Sequence, residues 1–182
     1  MSLIVETGSC VPTANAFVTR ADYIAWMADY HPDVSVPADT TTDAAIMRAS
    51  SWLSTFPEWD GSMTCGRGLQ GLAFPRTDVT DCNGDPVPDN EVPAEVQQAT
   101  YIATYAEAET PGILSPAITP GKQKKSVKVD VIAESYMTPE EQGVTNVDPV
   151  ASLRPVLTAV TDLLRCMATM PNGKNVPWPW VA

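Results

Sequence analysis

Proline placement constrains this chain more than any other feature. A proline inside a helix removes a hydrogen bond and clashes with the turn before it, so it is tolerated only in the first turn or outside. The 17 prolines therefore punctuate the helices. Residues 19–30 read as a first helix, capped by Thr19 and ended by His31-Pro32, with Ala21, Ile24, Ala25 and Ala28 on one face. Residues 42–56 read as a second, with Thr41 or Thr42 as cap, Asp43 near the positive end of the dipole and Pro57 as stop. Its core stripe is Ile46, Ala49, Leu53 and Phe56, with Ala45 and Trp52 beside it. Pro93 suits the first position of a third helix over 93–109, and Pro111-Gly112 ends it. A last helix over 154–170 keeps Pro155 near its start and carries Leu157, Val160, Leu164 and Met167 at helical spacing.

The rest is extended or looped. Residues 2–5 and 16–19 are brief β-prone pieces. Residues 58–93 carry the turn pairs Asp60-Gly61 and Asn83-Gly84 with four prolines, and predict a loop containing packed extended pieces such as 72–74. Residues 126–136 alternate, Val127, Val129 and Val131 against Lys128 and Asp130, which predicts a half-buried strand or one arm of a hairpin. The expected fold is mainly α: a small bundle of about four helices, a short β element before the last helix, and extended termini. One domain is expected over 1–170, with a β arm near 122–137, followed by an extended tail over 171–182 rich in proline and tryptophan.

Charge narrows the function. The net charge is −11, which argues against a surface built mainly to grip phosphates. Residues 1–110 hold 4 Lys+Arg and 16 Asp+Glu, and residues 111–182 hold 7 and 6. The only basic cluster is Lys122, Lys124, Lys125 and Lys128, a possible DNA-facing or partner-facing arm, though such a run is more often simply solvated. Cys10, Cys65, Cys82 and Cys166 form no close pair. The opening residues lack the pattern of a secretory leader, so reduced thiols in a cytoplasmic setting are expected, with two disulfides left open by the even count. No stretch is apolar enough for a membrane span, and no membrane partner is expected.

Little suggests catalysis. Residues 66–71 match GxGxxG, but no apolar strand precedes them and Pro75 follows, so a glycine-rich loop is the better reading. Asp81, Asn83 and Gly84 resemble a fragment of a calcium loop, yet Val79 and Asn90 stand where ligands belong. His31 is the single histidine, and no metal-ligand spacing accompanies it. The expectation is a non-enzyme with no catalytic residues, metal or cofactor. Two features point to partners instead. Val176, Pro177, Trp178, Pro179 and Trp180 place two indoles on an extended tail, where each would bury about 150–250 Å² on a neighbour or fold back on its own domain. Val96, Ala99, Ala103 and Ala106 form a small-residue helix face that suits either a ring interface or the core.

An ordered set of segments resembles a known phage family. These are Leu3-Ile4-Val5-Glu6-Thr7-Gly8, Asn15-Ala16-Phe17-Val18, Arg48-Ala49-Ser50-Ser51-Trp52-Leu53, Gln70-Gly71-Leu72-Ala73-Phe74-Pro75-Arg76, and Asp81-Cys82-Asn83-Gly84 leading through Val87-Pro88 and Val92-Pro93 into the alanine-rich helix. The family is labelled DnaT-like single-stranded-DNA-binding and sits among phage head–tail connector, or adaptor, proteins. The resemblance implies a structural virion protein of the neck, assembled in the host cytoplasm. It implies a homo-oligomeric ring, commonly a dodecamer, that contacts the portal protein and a stopper or tail-terminator protein. Double-stranded DNA would pass through that ring without specific binding. The alternative it carries is a single-stranded-DNA-binding protein acting in phage replication or packaging.

Overall fold

Local chemistry sets where the helices begin. The computed structural model describes residues 2–116, 124–128, 133–136 and 157–171. Within them, α1 (Arg20–Tyr30), α2 (Asp39–Thr55), α3 (Ala94–Glu109) and α4 (Thr158–Leu164) make a mainly helical body. Thr19 caps α1, its hydroxyl accepting from the Asp22 N–H. Pro93 precedes α3, which runs to Glu109 as its punctuation predicts. By contrast, α2 starts at Asp39, ahead of the expected threonine caps, and no side chain caps it. Thr42 lies inside the helix and donates to the Pro37 carbonyl. Asp39 and Asp43 instead hold Arg20 of α1, with Arg20 Nη1 2.6 Å from Asp39 Oδ2 and Arg20 Nε 2.7 Å from Asp43 Oδ1.

Three two-stranded antiparallel sheets complete the description. Strand β2 (Ser62–Met63) pairs with β3 (Arg76–Thr77), and β4 (Lys124–Lys128) pairs with β5 (Ala133–Tyr136), so the stretch 126–136, expected as one strand or one arm of a hairpin, supplies residues to both strands of a pair. Strand β1 (Glu58–Trp59) pairs with β6 (Ala168–Thr169). This last pairing corrects the sequence reading of the final helix. The Asp60 N–H donates to the Met167 carbonyl, and the 168–169 backbone ladders onto 58–59, so the helix ends at Leu164. Met167, Ala168 and Met170 are buried all the same. Their periodicity reports burial, which a turn and a strand supply here in place of further helix. Residues 154–156 lie outside the described residues.

The core lies between α2, α3 and α4. Ile46, Ala49, Leu53, Val96, Ala99, Ala103, Val160 and Leu164 are fully buried there. Close approach of α2 and α3 explains the small-residue face of α3, because alanines let two helix axes near each other. That face is not free for a neighbouring copy: Val96, Ala99 and Ala103 are 0% exposed within this chain and Ala106 is half-buried. On α1 the buried side is also the reverse of the alanine stripe. Tyr23 and Met27 face the core, while Ala21, Ala25 and Ala28 are exposed and Ile24 is 40% exposed. A ring and a long thioether remove far more apolar area from water than methyl groups do, so they win the inside.

The proline-rich region over 58–93 is packed, with Leu72, Ala73 and Phe74 in the core. Arg76 organises it. Its guanidinium donates to the carbonyls of Asp60 and Gly61 at 2.8 Å, and to Ala73 and Trp59 at 3.3 and 3.4 Å. Gln70 Nε2 adds bonds to the Leu72 and Pro75 carbonyls. All four cysteines are paired, against the expectation of free thiols: Cys10 with Cys65, and Cys82 with Cys166. Folding brings their Cα atoms to 6.1 and 5.1 Å, within disulfide reach. Sequence gaps of 55 and 84 residues carry no information about those distances.

Candidate partner-binding surface

Residues three or four apart on a helix share a face. Tyr23, Trp26 and Tyr30 follow that spacing on α1, and Tyr101 and Tyr105 follow it on α3. Where the two helices meet, the rings form one strip. Trp26 stacks on Tyr30 at 5.2 Å and on Tyr101 at 5.7 Å between centroids, and His31 stacks on Tyr105 at 4.2 Å. Tyr23 lies beneath, its ring 6.1 Å from Trp26 and 6.5 Å from Tyr101. Tyr23 is fully buried, Trp26, His31, Tyr101 and Tyr105 are half-buried, and Tyr30 is 67% exposed. The strip therefore has a buried base and an open outer edge.

Its electrostatics are acidic. Burial, then the nearby Tyr105 and Glu109, push the Tyr23 phenol up to about 12. Burial and the neighbouring Asp22 carboxylate likewise raise Tyr101. Asp29 falls one turn after Trp26 on the same helix, so Asp22 and Asp29 flank the indole. The Tyr23 hydroxyl makes no hydrogen bond among the described residues. Aromatic side chains with a few polar tips are the composition enriched at protein interfaces. The surface presents ring faces and carboxylates, a combination that receives cations.

Elsewhere, cations are already committed. Of the four arginines in residues 1–110, Arg20 holds Asp39 and Asp43, Arg48 holds Glu107, and Arg76 holds carbonyls. Arg67 lies on an exposed glycine-rich turn. A cleft of about 520 Å³ is lined by Trp59, Arg67, Gln70 and Arg76 among others. Burial lowers the Arg76 pKa, with Asp60 offsetting this in part. The Asp81 segment is a closed turn, its Oδ1 accepting from the N–H groups of Asn83 and Asp85. The Gly66–Gly71 stretch leads into buried 72–74 and opens no helix.

Among the residues singled out from sequence, Lys124, Lys125 and Lys128 lie on β4. Lys122 and the tail residues Val176, Pro177, Trp178, Pro179 and Trp180 lie outside the described residues. The aromatic strip is not among the residues singled out, because the alanine stripe of α1 predicts burial of the opposite face. Its signal was present as Trp26-Tyr30 and Tyr101-Tyr105, two pairs at i, i+4.

A family model described as "Putative DnaT-like ssDNA binding protein" matches residues 1–177. No curated protein and no solved structure matches the chain.

Proposed function

The chain belongs to the DnaT-like ssDNA binding protein family, and on that premise we propose that it is a non-catalytic structural subunit, a phage head–tail connector forming a ring between the portal and the rest of the neck. The observation that carries this reading is the commitment of charge. Residues 1–110 hold 16 carboxylates against 4 arginines, three of which are used inside the fold. A body of this kind repels phosphates, and an acidic wall lets a DNA duplex slide without sticking. The aromatic strip supplies what a ring subunit needs at its side, a surface with more to gain from a protein than from water. The Trp178/Trp180 tail supplies further contacts to portal, stopper or tail-terminator proteins.

A second reading has its own support. The family description names single-stranded-DNA binding, and the comparison favours that reading over the connector. The lysine arm, or the cleft where Trp59 stands with Arg67, would be the place for it, since such proteins combine stacking rings with cationic backbone contacts. Two measurements separate the readings. The connector reading expects rings, alone or on portal, by native mass spectrometry and negative stain. A chain that stays monomeric with portal present, and binds single-stranded DNA with a steep salt dependence, replaces it with the second.

A further inference from the structure

We propose that the aromatic strip between α1 and α3 is the receptor for the lysine-bearing β4 segment of a second copy of this chain, an inference that rests on the ring reading above. The receptor half is built from Trp26, Tyr30, Tyr101 and Tyr105, with Asp22, Asp29 and Glu109 at its rim. Aromatic faces carry negative charge density and attract ammonium groups, most strongly over an indole. Carboxylates beside the rings add to that attraction. The nearest basic residue in sequence, Arg20, is held by Asp39 and Asp43 and does not serve the strip.

The donor half is the one place where positive charge accumulates. Lys122, Lys124, Lys125 and Lys128 are four of the 11 Lys+Arg in the chain. Three of them stand on β4, which pairs with β5 in a sheet of two strands. A two-stranded hairpin is marginally stable by itself and gains from docking on another surface. Among the described residues each of its strands also keeps an unpaired edge that invites a neighbour. Charge is complementary across the contact: a basic segment meets ring faces and carboxylates.

Receptor and donor are different surfaces of one chain, so the contact is heterologous. Repeated from copy to copy, such a contact closes into a ring when its rotation permits. This assigns the strip one side of each ring subunit and the hairpin the other.

A charge-swap pair tests the assignment on the full chain. One variant carries Lys124→Glu, Lys125→Glu and Lys128→Glu; the other carries Asp29→Lys and Glu109→Lys. The latter changes place basic residues in the last turns of α1 and α3, where the helix dipole favours them, and circular dichroism checks that both variants fold. Assembly is followed by native mass spectrometry against concentration. Each variant alone is expected to raise the midpoint of assembly by at least about tenfold, because its own donor and receptor then repel. An equimolar mixture is expected to restore assembly, since each altered donor meets an altered receptor and each native donor a native one. Assembly of either variant at the native midpoint, or a mixture that stays dissociated, overturns the inference while leaving the ring reading intact. An unmodified chain that never assembles, even on portal, removes the ring reading itself, and with it this inference. Loss of single-stranded-DNA binding in the lysine variant, with assembly unchanged, assigns the arm to nucleic acid instead.

Discussion

Arg48 Nε donates to Glu107 Oε1 at 2.6 Å across the α2–α3 contact, joining a half-exposed guanidinium to a carboxylate that is 1% exposed. Glu107 also accepts from the Gly112 N–H at 2.7 Å and the Leu114 N–H at 3.3 Å. It therefore ties the end of α3 to the turn that follows. The two partners should respond unequally to removal. Glu107→Ala removes the shared acceptor of three hydrogen bonds and leaves the Gly112 and Leu114 N–H groups without it, and should cost roughly 3 kcal/mol. Arg48→Ala should cost about 1 kcal/mol, since water screens the exposed partner and the backbone donors remain. Urea denaturation of both variants checks the order; equal losses would contradict it.

Arg76 should be the most sensitive of the cations held inside the fold. Its planar fork reaches carbonyls on both sides of the 58–77 turn. A lysine ammonium cannot span them, so Arg76→Lys should lose about 2–4 kcal/mol despite retaining the charge. A loss below about 1 kcal/mol in chemical denaturation would show that the fork is not holding the region.

Alkaline pH should weaken the fold through Tyr23. Burial raises its phenol from 10.0 to about 12. Between those values the unfolded chain releases the proton while the folded chain keeps it, so stability falls as pH rises from 10 to 12. Tyr23→Phe should flatten that part of the profile, leaving the smaller contribution from Tyr101, whose pKa is also raised. At neutral pH the same change should alter stability by no more than about 1 kcal/mol, because the hydroxyl it removes has no hydrogen bond among the described residues. Thermal melts at pH 8, 10 and 11, values that straddle about 10, read both effects.

Both disulfides should contribute to stability by restricting the unfolded chain. Cys82→Ser/Cys166→Ser and Cys10→Ser/Cys65→Ser should each cost about 2–4 kcal/mol. The first pair fastens the turn after β3 to the end of α4, so its loss should also free the β1–β6 pairing to hydrogen exchange. Thiol titration of the unfolded, unreduced protein should find none. Four titrating thiols would refute the pairing.

Much of this structure could be read from local chemistry. Thr19, Pro93 and Pro111 frame α1 and α3 within about a residue, because caps and prolines act on the nearest turn. The stripe over Ile46, Ala49 and Leu53 names core residues correctly, as does the run through Val160 and Leu164. The candidate surface was harder to see. Trp26 and Tyr101 are 75 residues apart by their numbers, and nothing in either segment announces that α1 and α3 bring them to 5.7 Å. The alanines of α1 gave an apolar pattern of their own, and only the competition for buried area decides which pattern turns inward.

Sequence alone determined the helical class, the starts of α1 and α3, the acidic body and the placing of nearly all available lysines in one arm, since each follows from interactions within a turn or from counting charges. Tertiary structure decided which side of α1 faces the core, where α4 gives way to β6, which cysteines meet and which rings stack. Those outcomes depend on distances between segments remote along the chain, and such distances exist only after the core has closed.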